Sequence, residues 1–368
     1  MESRNTDQPH KGRAGSLLLG GLVLLVVVIV AWAAGRGGSR IEGGAGDEQT
    51  VAGPTGPRAG LKMAAVRARS GAASKRTGPQ VVLRATWGQG PGQLGRSQAA
   101  ESSPEGPASF VVDGSGRAFV LDQVNFRIQV YEQGRFKRSI PLPAETFEDL
   151  AVMPDGGVAA LDRLSRRTVR LMDARGQLVS EVDLEGPGVG EGGAVTGLFA
   201  RDDGLWVEVA HGRLVRVMDA SGQADPQRPW VAGRFAAGGA KVLSAALDGR
   251  YAAEIVTRPA VTGKAPATRL ARVDFDLRLA HLTALETDAA GNVYLGALTM
   301  RHQTTAPFAV LEQRSQVVVV SPTGRELRRI SLPPPTTGLQ FLRSIRVGPD
   351  GTVWHLALDA HGATLRRY

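Results

Sequence analysis

The sequence predicts an all-β fold: a six-bladed β-propeller closed by an N-terminal strand, preceded by one transmembrane or signal helix and a disordered linker. Three observations predict it. Short apolar runs flanking a glycine-containing turn recur six times, the last of these modules lacks one strand, and a strand-like segment without a partner stands before the first. The expected organisation is a cytoplasmic n-region over 1–15, a membrane-directing segment over 16–34, a basic linker over 35–79 and the propeller over 80–368.

Taken in order, Leu17 to Ala34 reads LLLGGLVLLVVVIVAWAA, without a charge, after Lys11 and Arg13 and before Arg36. Eighteen apolar residues at about 1.5 Å each can just cross a hydrocarbon core of roughly 30 Å. Trp32 stands near the far end, where an amphipathic ring suits the interface. Two readings stay open: an uncleaved signal anchor, or a leader cut at Ala31-Trp32-Ala33. Either exports the rest. The propeller is thus expected outside the cytoplasm, tethered to the inner membrane in the periplasm or secreted.

Residues 35–79 are Gly, Ala, Pro, Ser and Arg with few large apolar side chains, too little surface to offset the entropy of ordering them. The net charge of +9 resides mostly here: residues 1–79 hold 11 Lys/Arg against 5 Asp/Glu, and residues 80–368 hold 33 against 30. A basic tail beside a membrane suits an anionic surface or serves as a solvated spacer. Export of the propeller argues against a nucleic-acid partner. With no cysteine, a disulfide framework, a thiolate zinc site and a cysteine nucleophile are excluded.

Val169–Gln177 (VRLMDARGQ) and Val215–Gln223 (VRVMDASGQ) agree at seven of nine positions. A second signature recurs more widely, as in FVVDGSGRAFVLD (110–122), LAVMPDGGVAALD (150–162) and ALETDAAGNVYLG (284–296). Its turn glycines are Gly116, Gly156, Gly204, Gly249, Gly291 and Gly351, separated by 40, 48, 45, 42 and 60 residues. Four strands are legible in the first module: Ser109–Asp113, Ala118–Asp122, Arg127–Tyr131 and Phe136–Leu142. Four short antiparallel strands per unit is blade geometry. The last module offers three, Ser344–Val347, Thr352–Leu358 and Ala363–Tyr368, and Val81–Trp87 is expected to supply the fourth.

The run Trp87-Gly88-Gln89-Gly90-Pro91-Gly92-Gln93-Leu94, followed by Pro107–Asp113, Gly116–Asp122, Asn125 and Arg127–Tyr131, resembles an NHL repeat. The resemblance covers the first blade best, then the second and fifth. It implies an NHL-like six-bladed propeller over 80–368, with Asp122, Asn125 and Arg127 at positions that are structural in that family.

No catalytic residue is assigned. The six histidines (His10, His211, His281, His302, His355 and His361) show no short metal-ligand spacing. A hard-cation site would need carboxylates facing the axis from several first strands. Glu105, Glu148 and Asp149 are candidates, but the equivalent places later in the chain hold Thr196, Ser244, Thr283 and Arg343, and an arginine repels a cation. No cofactor is expected. The alternative is a lyase or lactonase-like propeller enzyme with a divalent ion in its channel.

What remains is a surface. Connections between second and third strands emerge on the same face as those between blades, and two of them, Thr257–Thr268 and Ala297–Ser315, are expected as enlarged loops. This face carries Arg163, Arg166, Arg167, Arg213, Arg258, Lys264, Arg301, His302 and Arg314 with few acids nearby in sequence. Planar guanidinium groups suit carboxylate or phosphate partners, so these residues are the candidate binding set for a protein or an anionic envelope glycan. A solubilising rim would use the same residue types.

Overall fold

A computed structural model describes residues 78–98, 103–263, 265–335, 338–339 and 341–368. The expected n-region and membrane-directing segment, and all of the linker but its last two residues, lie outside the described residues. Among the described residues no helix is long and apolar enough to cross a membrane.

Six four-stranded antiparallel sheets follow one another along the chain, as predicted. A first strand, β1 (Gln80–Thr86), precedes them. Blade 1 is β2 (Phe110–Val112), β3 (Ala118–Asp122), β4 (Arg127–Glu132) and β5 (Arg135–Pro141). Blade 2 is β6 (Asp149–Val152), β7 (Val158–Asp162), β8 (Thr168–Met172) and β9 (Leu178–Asp183). Blade 3 is β10 (Val195–Arg201), β11 (Gly204–Val209), β12 (Arg213–Asp219) and β13 (Trp230–Val231). Blade 4 is β14 (Arg234–Phe235), β15 (Lys241–Leu247), β16 (Ala252–Pro259) and β17 (Thr268–Asp274). Blade 5 is β18 (Arg278–Thr287), β19 (Val293–His302), β20 (Val310–Val320) and β21 (Glu326–Leu332). Blade 6 is β22 (Ile345–Val347), β23 (Val353–Leu358) and β24 (Gly362–Arg367), completed by β1.

Strand composition follows position within the sheet. The second strands AFVLD and VAALD are buried at every residue, because neighbouring blades cover both faces. An outer strand such as β5, RFKRSIP, alternates between exposed and covered positions instead. The core is accordingly divided among blade interfaces. Phe119, Leu121 and Ile128 of blade 1 pack with Leu150 and Ala160 of blade 2, and Ala159 and Leu161 pack with Val207 and Val215 of blade 3.

The recurring turn has a local cause. Asp113 accepts hydrogen bonds from the backbone N–H of Ser115 and Arg117 at 2.9 Å each, and Gly116 turns left-handed at φ +83°. Asp173 with Gly176 and Asp219 with Gly222 repeat this between third and fourth strands, so the best-matching repeat is one blade's third strand plus its turn.

Ring closure is as expected. β1 pairs antiparallel with β24, Leu83 opposite Leu365 and Thr86 opposite Gly362. Leu83 and Ala85 are buried with Leu356, Leu365 and blade 1's Phe110. Asp122 anchors the segment that follows β1. It accepts from Gly95 N (2.6 Å), Arg127 Nε (2.7 Å) and Asn125 Nδ2 (3.0 Å), while Arg127 Nη2 donates to the carbonyls of Gly90 and Gln93. The three residues singled out in the first blade are therefore structural glue.

Three local expectations need correction. In blade 4 the order is β14-β15-β16-β17 as in the other blades, so the Gly249 turn joins second and third strands and is one strand out of step with Gly116 and Gly291. The expected loop Ala297–Ser315 is mostly strand, since β19 runs to His302 and β20 starts at Val310. Cross-strand pairing is the reason: Arg301 lies opposite Glu312 and Thr299 opposite Arg314, so backbone and charge are satisfied as a hairpin. The expected loop Thr257–Thr268 shortens likewise, because β16 runs to Pro259, and it joins third and fourth strands, so it does not lie with the connections between second and third strands.

Candidate functional site

The first strands of the blades converge on one carboxylate. Asp149 opens β6 of blade 2 and has no exposed surface. It accepts Ser109 Oγ of blade 1 at 2.6 Å and Leu198 N of blade 3 at 2.8 Å. From blade 6, Arg343 Nε stands 3.1 Å away and Arg346 Nη2 3.4 Å away. Arg346 also donates to the Phe110 and Leu150 carbonyls, at 3.0 and 2.9 Å, and its Nη1 lies 3.8 Å from Glu286 of blade 5. Blade 4 joins through Arg234, whose Nε and Nη2 grip Glu208 at 2.5 and 2.8 Å while Nη1 donates to the Leu285 carbonyl at 2.9 Å.

These charges shift one another. Burial alone would raise the Glu208 carboxyl, but the charge and hydrogen bonds of Arg234, with His211 beside it, hold it well below the usual carboxylate range. Burial pulls the Arg343 guanidinium down to about 10 against the attraction of Asp149. Arg343 fits only because its neighbour is a glycine. A Cβ on Gly197 would stand 1.8 Å from Nη2, and the Phe199 ring centre lies 4.0 Å from the guanidinium carbon. None of its three nitrogens makes a hydrogen bond among the described residues.

The carboxylates considered for a metal do not converge. Glu148 pairs with Arg163 at 2.8 Å, and Glu105 bridges to Ser97 outside the network. Among the described residues no group of three His, Asp or Glu is placed to hold a metal ion. A divalent ion in the channel does not fit this donor set, since two guanidinium groups flank the one axial carboxylate.

The described candidates stand beside connections between second and third strands, except Arg258, which ends β16 beside the connection from third to fourth strand at the other end of its blade. Acids from other segments meet most of them, which their sequence neighbourhood does not reveal. Arg166 Nη2 pairs with Glu181 at 3.1 Å and Arg167 with Glu185 at 3.2 Å. Arg163, paired with Glu148, also donates to the Val195 carbonyl at 3.2 Å. Arg213 donates to the Gly188 carbonyl at 2.9 Å and Arg258 to Ser244 Oγ at 2.8 Å. Arg301 and Arg314 share Glu312, at 3.1 and 2.6 Å, on the β19–β20 hairpin beside exposed His302. Lys264 lies outside the described residues.

Arg234, Arg346, Glu208 and Glu286 escaped the sequence reading. Register held a signal for two of them. Glu286 and Arg346 each stand five residues before a turn glycine, Gly291 and Gly351, where blade 2 has Ala151. Aligning modules on that glycine exposes opposite charges at one inward position.

No protein-family model matches the sequence, and no curated protein matches it. Solved structures align with it at low similarity. A streptogramin B lyase aligns with a TM-score of 0.41 at 15% identity, over 70% of this chain and 78% of that one. A gluconolactonase from Xanthomonas campestris aligns at 0.43 with 13% identity, over 78% and 88% of the two chains. A protein of unknown function from Bacteroides caccae aligns at 0.41 with 18% identity, over 62% and 82%. Nothing about activity is carried over from likenesses this distant.

Proposed function

We propose that this propeller is a membrane-tethered, NHL-like binding or scaffolding module outside the cytoplasm, with the face carrying the connections between second and third strands as its recognition surface. One observation carries the reading. The β19–β20 hairpin, with strands of 10 and 11 residues, ends in Phe308, Val310 and Leu311, which are 61%, 50% and 51% exposed. Apolar tips flanked by Arg301, His302 and Arg314 suit a protein partner with a mixed apolar and acidic surface. The membrane tether rests on the apolar run Leu17 to Ala34 and the basic segment after it. Arg166 and Arg167 offer further positive charge on the same face, competing with their internal acids for the partner.

Site-specific photo-crosslinking in intact cells tests this. A crosslinker replacing Phe308 is expected to capture a discrete partner, and one replacing Ser115, on a first-to-second-strand turn, is not. Arg301→Ala combined with Arg166→Ala and Arg167→Ala should lower the yield at least about tenfold if the pairs contribute as charged interface contacts do. Equal capture from both positions, or none from 308, rejects the recognition face.

A further inference from the structure

Away from the proposed recognition face, at the end of the channel where β10 finishes at Arg201 and β18 at Thr287, lies a cavity of about 150 Å³. Phe199, Phe235, Leu243 and Leu285 give it apolar walls, and two opposite charges, Arg201 and Glu286, line it. Arg234 also stands in the wall, but Glu208 and the Leu285 carbonyl already use its donors.

The other two charges have bonding capacity to spare. The Arg201 guanidinium lies 3.7 Å over the Phe235 ring with Asp203 Oδ1 3.4 Å from Nε, yet none of its nitrogens makes a hydrogen bond among the described residues. The Glu286 side chain is 19% exposed and receives no hydrogen bond among the described residues; its nearest cation, Arg346 Nη1, is 3.8 Å away and belongs to a side chain already bound to Asp149, Phe110 and Leu150. Arg201 and Glu286 make no ion pair with each other, although they share one small cavity. Half-buried charges without hydrogen bonds are costly, and each is satisfied by a group of opposite sign.

We infer that this cavity is a binding site for a small zwitterion of the amino-acid class, its ammonium on Glu286, its carboxylate on Arg201 and a compact apolar side chain against Phe199 and Phe235. A simple anion of that size would meet Glu286, and a simple cation would meet Arg201 and Arg234. A molecule carrying both charges can set each against its opposite, its ammonium on Glu286 offsetting the nearby Arg234 and Arg346 and its carboxylate on Arg201. Size agrees, since a cavity of ~150 Å³ takes a six-carbon ring. The site is independent of the recognition face.

Calorimetric titration of the full chain tests it with L-valine, L-proline and glycine betaine, against isovalerate and isobutylamine as half-ligands. At least one zwitterion should bind saturably, and each half-ligand about tenfold more weakly or worse, the loss expected for one charge-assisted contact. Glu286→Gln should weaken the zwitterion about tenfold and remove its advantage over isovalerate, and Arg201→Gln should remove its advantage over isobutylamine. No saturable binding by any of the three zwitterions overturns the inference, as do half-ligands that bind as tightly. Full affinity in a Glu286→Gln variant with an unchanged melting midpoint does so too. The half-ligand comparison needs no variant, so a misfolded substitution leaves the decision intact.

Discussion

Asp149 and Arg343 form an asymmetric pair. The carboxylate receives Ser109 Oγ, Leu198 N and two guanidinium groups, whereas Arg343 is buried without one well-aligned acceptor among the described residues. Removing a well-satisfied buried charge strands its partners, and removing a poorly satisfied one relieves desolvation. Asp149→Ala is therefore expected to cost about 3–5 kcal/mol in urea unfolding. Arg343→Met should stay within about 1 kcal/mol of the parent or stabilise it, because Arg346 and the two neutral donors still serve Asp149. A loss from Arg343→Met as large as that from Asp149→Ala contradicts this account. Both residues could be placed on first strands from sequence. Their meeting could not, because 194 positions of chain separate them, and nothing local records that Gly197 leaves room for a guanidinium.

Strands and turns were legible wherever their causes are local. The Asp-x-x-Gly turns are built from hydrogen bonds within five residues, and the buried second strands are continuous apolar runs. The closing strand was placed within one residue at each end, as Gln80–Thr86 against an expected Val81–Trp87. The β19–β20 hairpin reads as a loop in sequence because its arms carry Arg, His, Gln and Glu, whose pairing across strands is not a local signal. For β1, Leu83→Ala is expected to cost about 2–4 kcal/mol by emptying a buried site shared by blades 6 and 1. Deleting 80–86 should cost more and abolish a single cooperative thermal transition, since β24 then becomes an open edge. An unchanged melting profile after that deletion refutes closure as a stabilising element.

At the scale of the propeller, stability should depend on pH through a buried histidine. Burial, with Arg366 nearby, pulls the His355 imidazole from 6.5 down to about 4, and its Nδ1 has no hydrogen-bond partner among the described residues. The folded chain thus holds His355 neutral where the unfolded chain protonates it. Its contribution is fully present above about 6.5 and is lost as pH falls toward about 4, a change of roughly 3 kcal/mol. His281, also pulled down by burial, acts in the same direction, and Glu208 adds its own loss only below its ordinary value of 4.5. Melting midpoints should therefore decline between pH 6.5 and 4.5 in the parent and decline less in His355→Leu. Parallel curves would remove His355 from the explanation.

The sequence by itself determined the number of blades, the strand that closes them, the place of every recurring turn but that at Gly249, and the absence of thiol chemistry. Each follows from short-range hydrogen bonding, from burial periodicity or from composition. Only the tertiary structure decided which charges neutralise one another. It gave acids from other segments to the face arginines, seated Arg343 and Arg346 on Asp149, and left Arg201 and Glu286 facing one cavity without pairing. Such encounters depend on where six blades bring distant residues around a common axis, and a chain read one window at a time holds no measure of that distance.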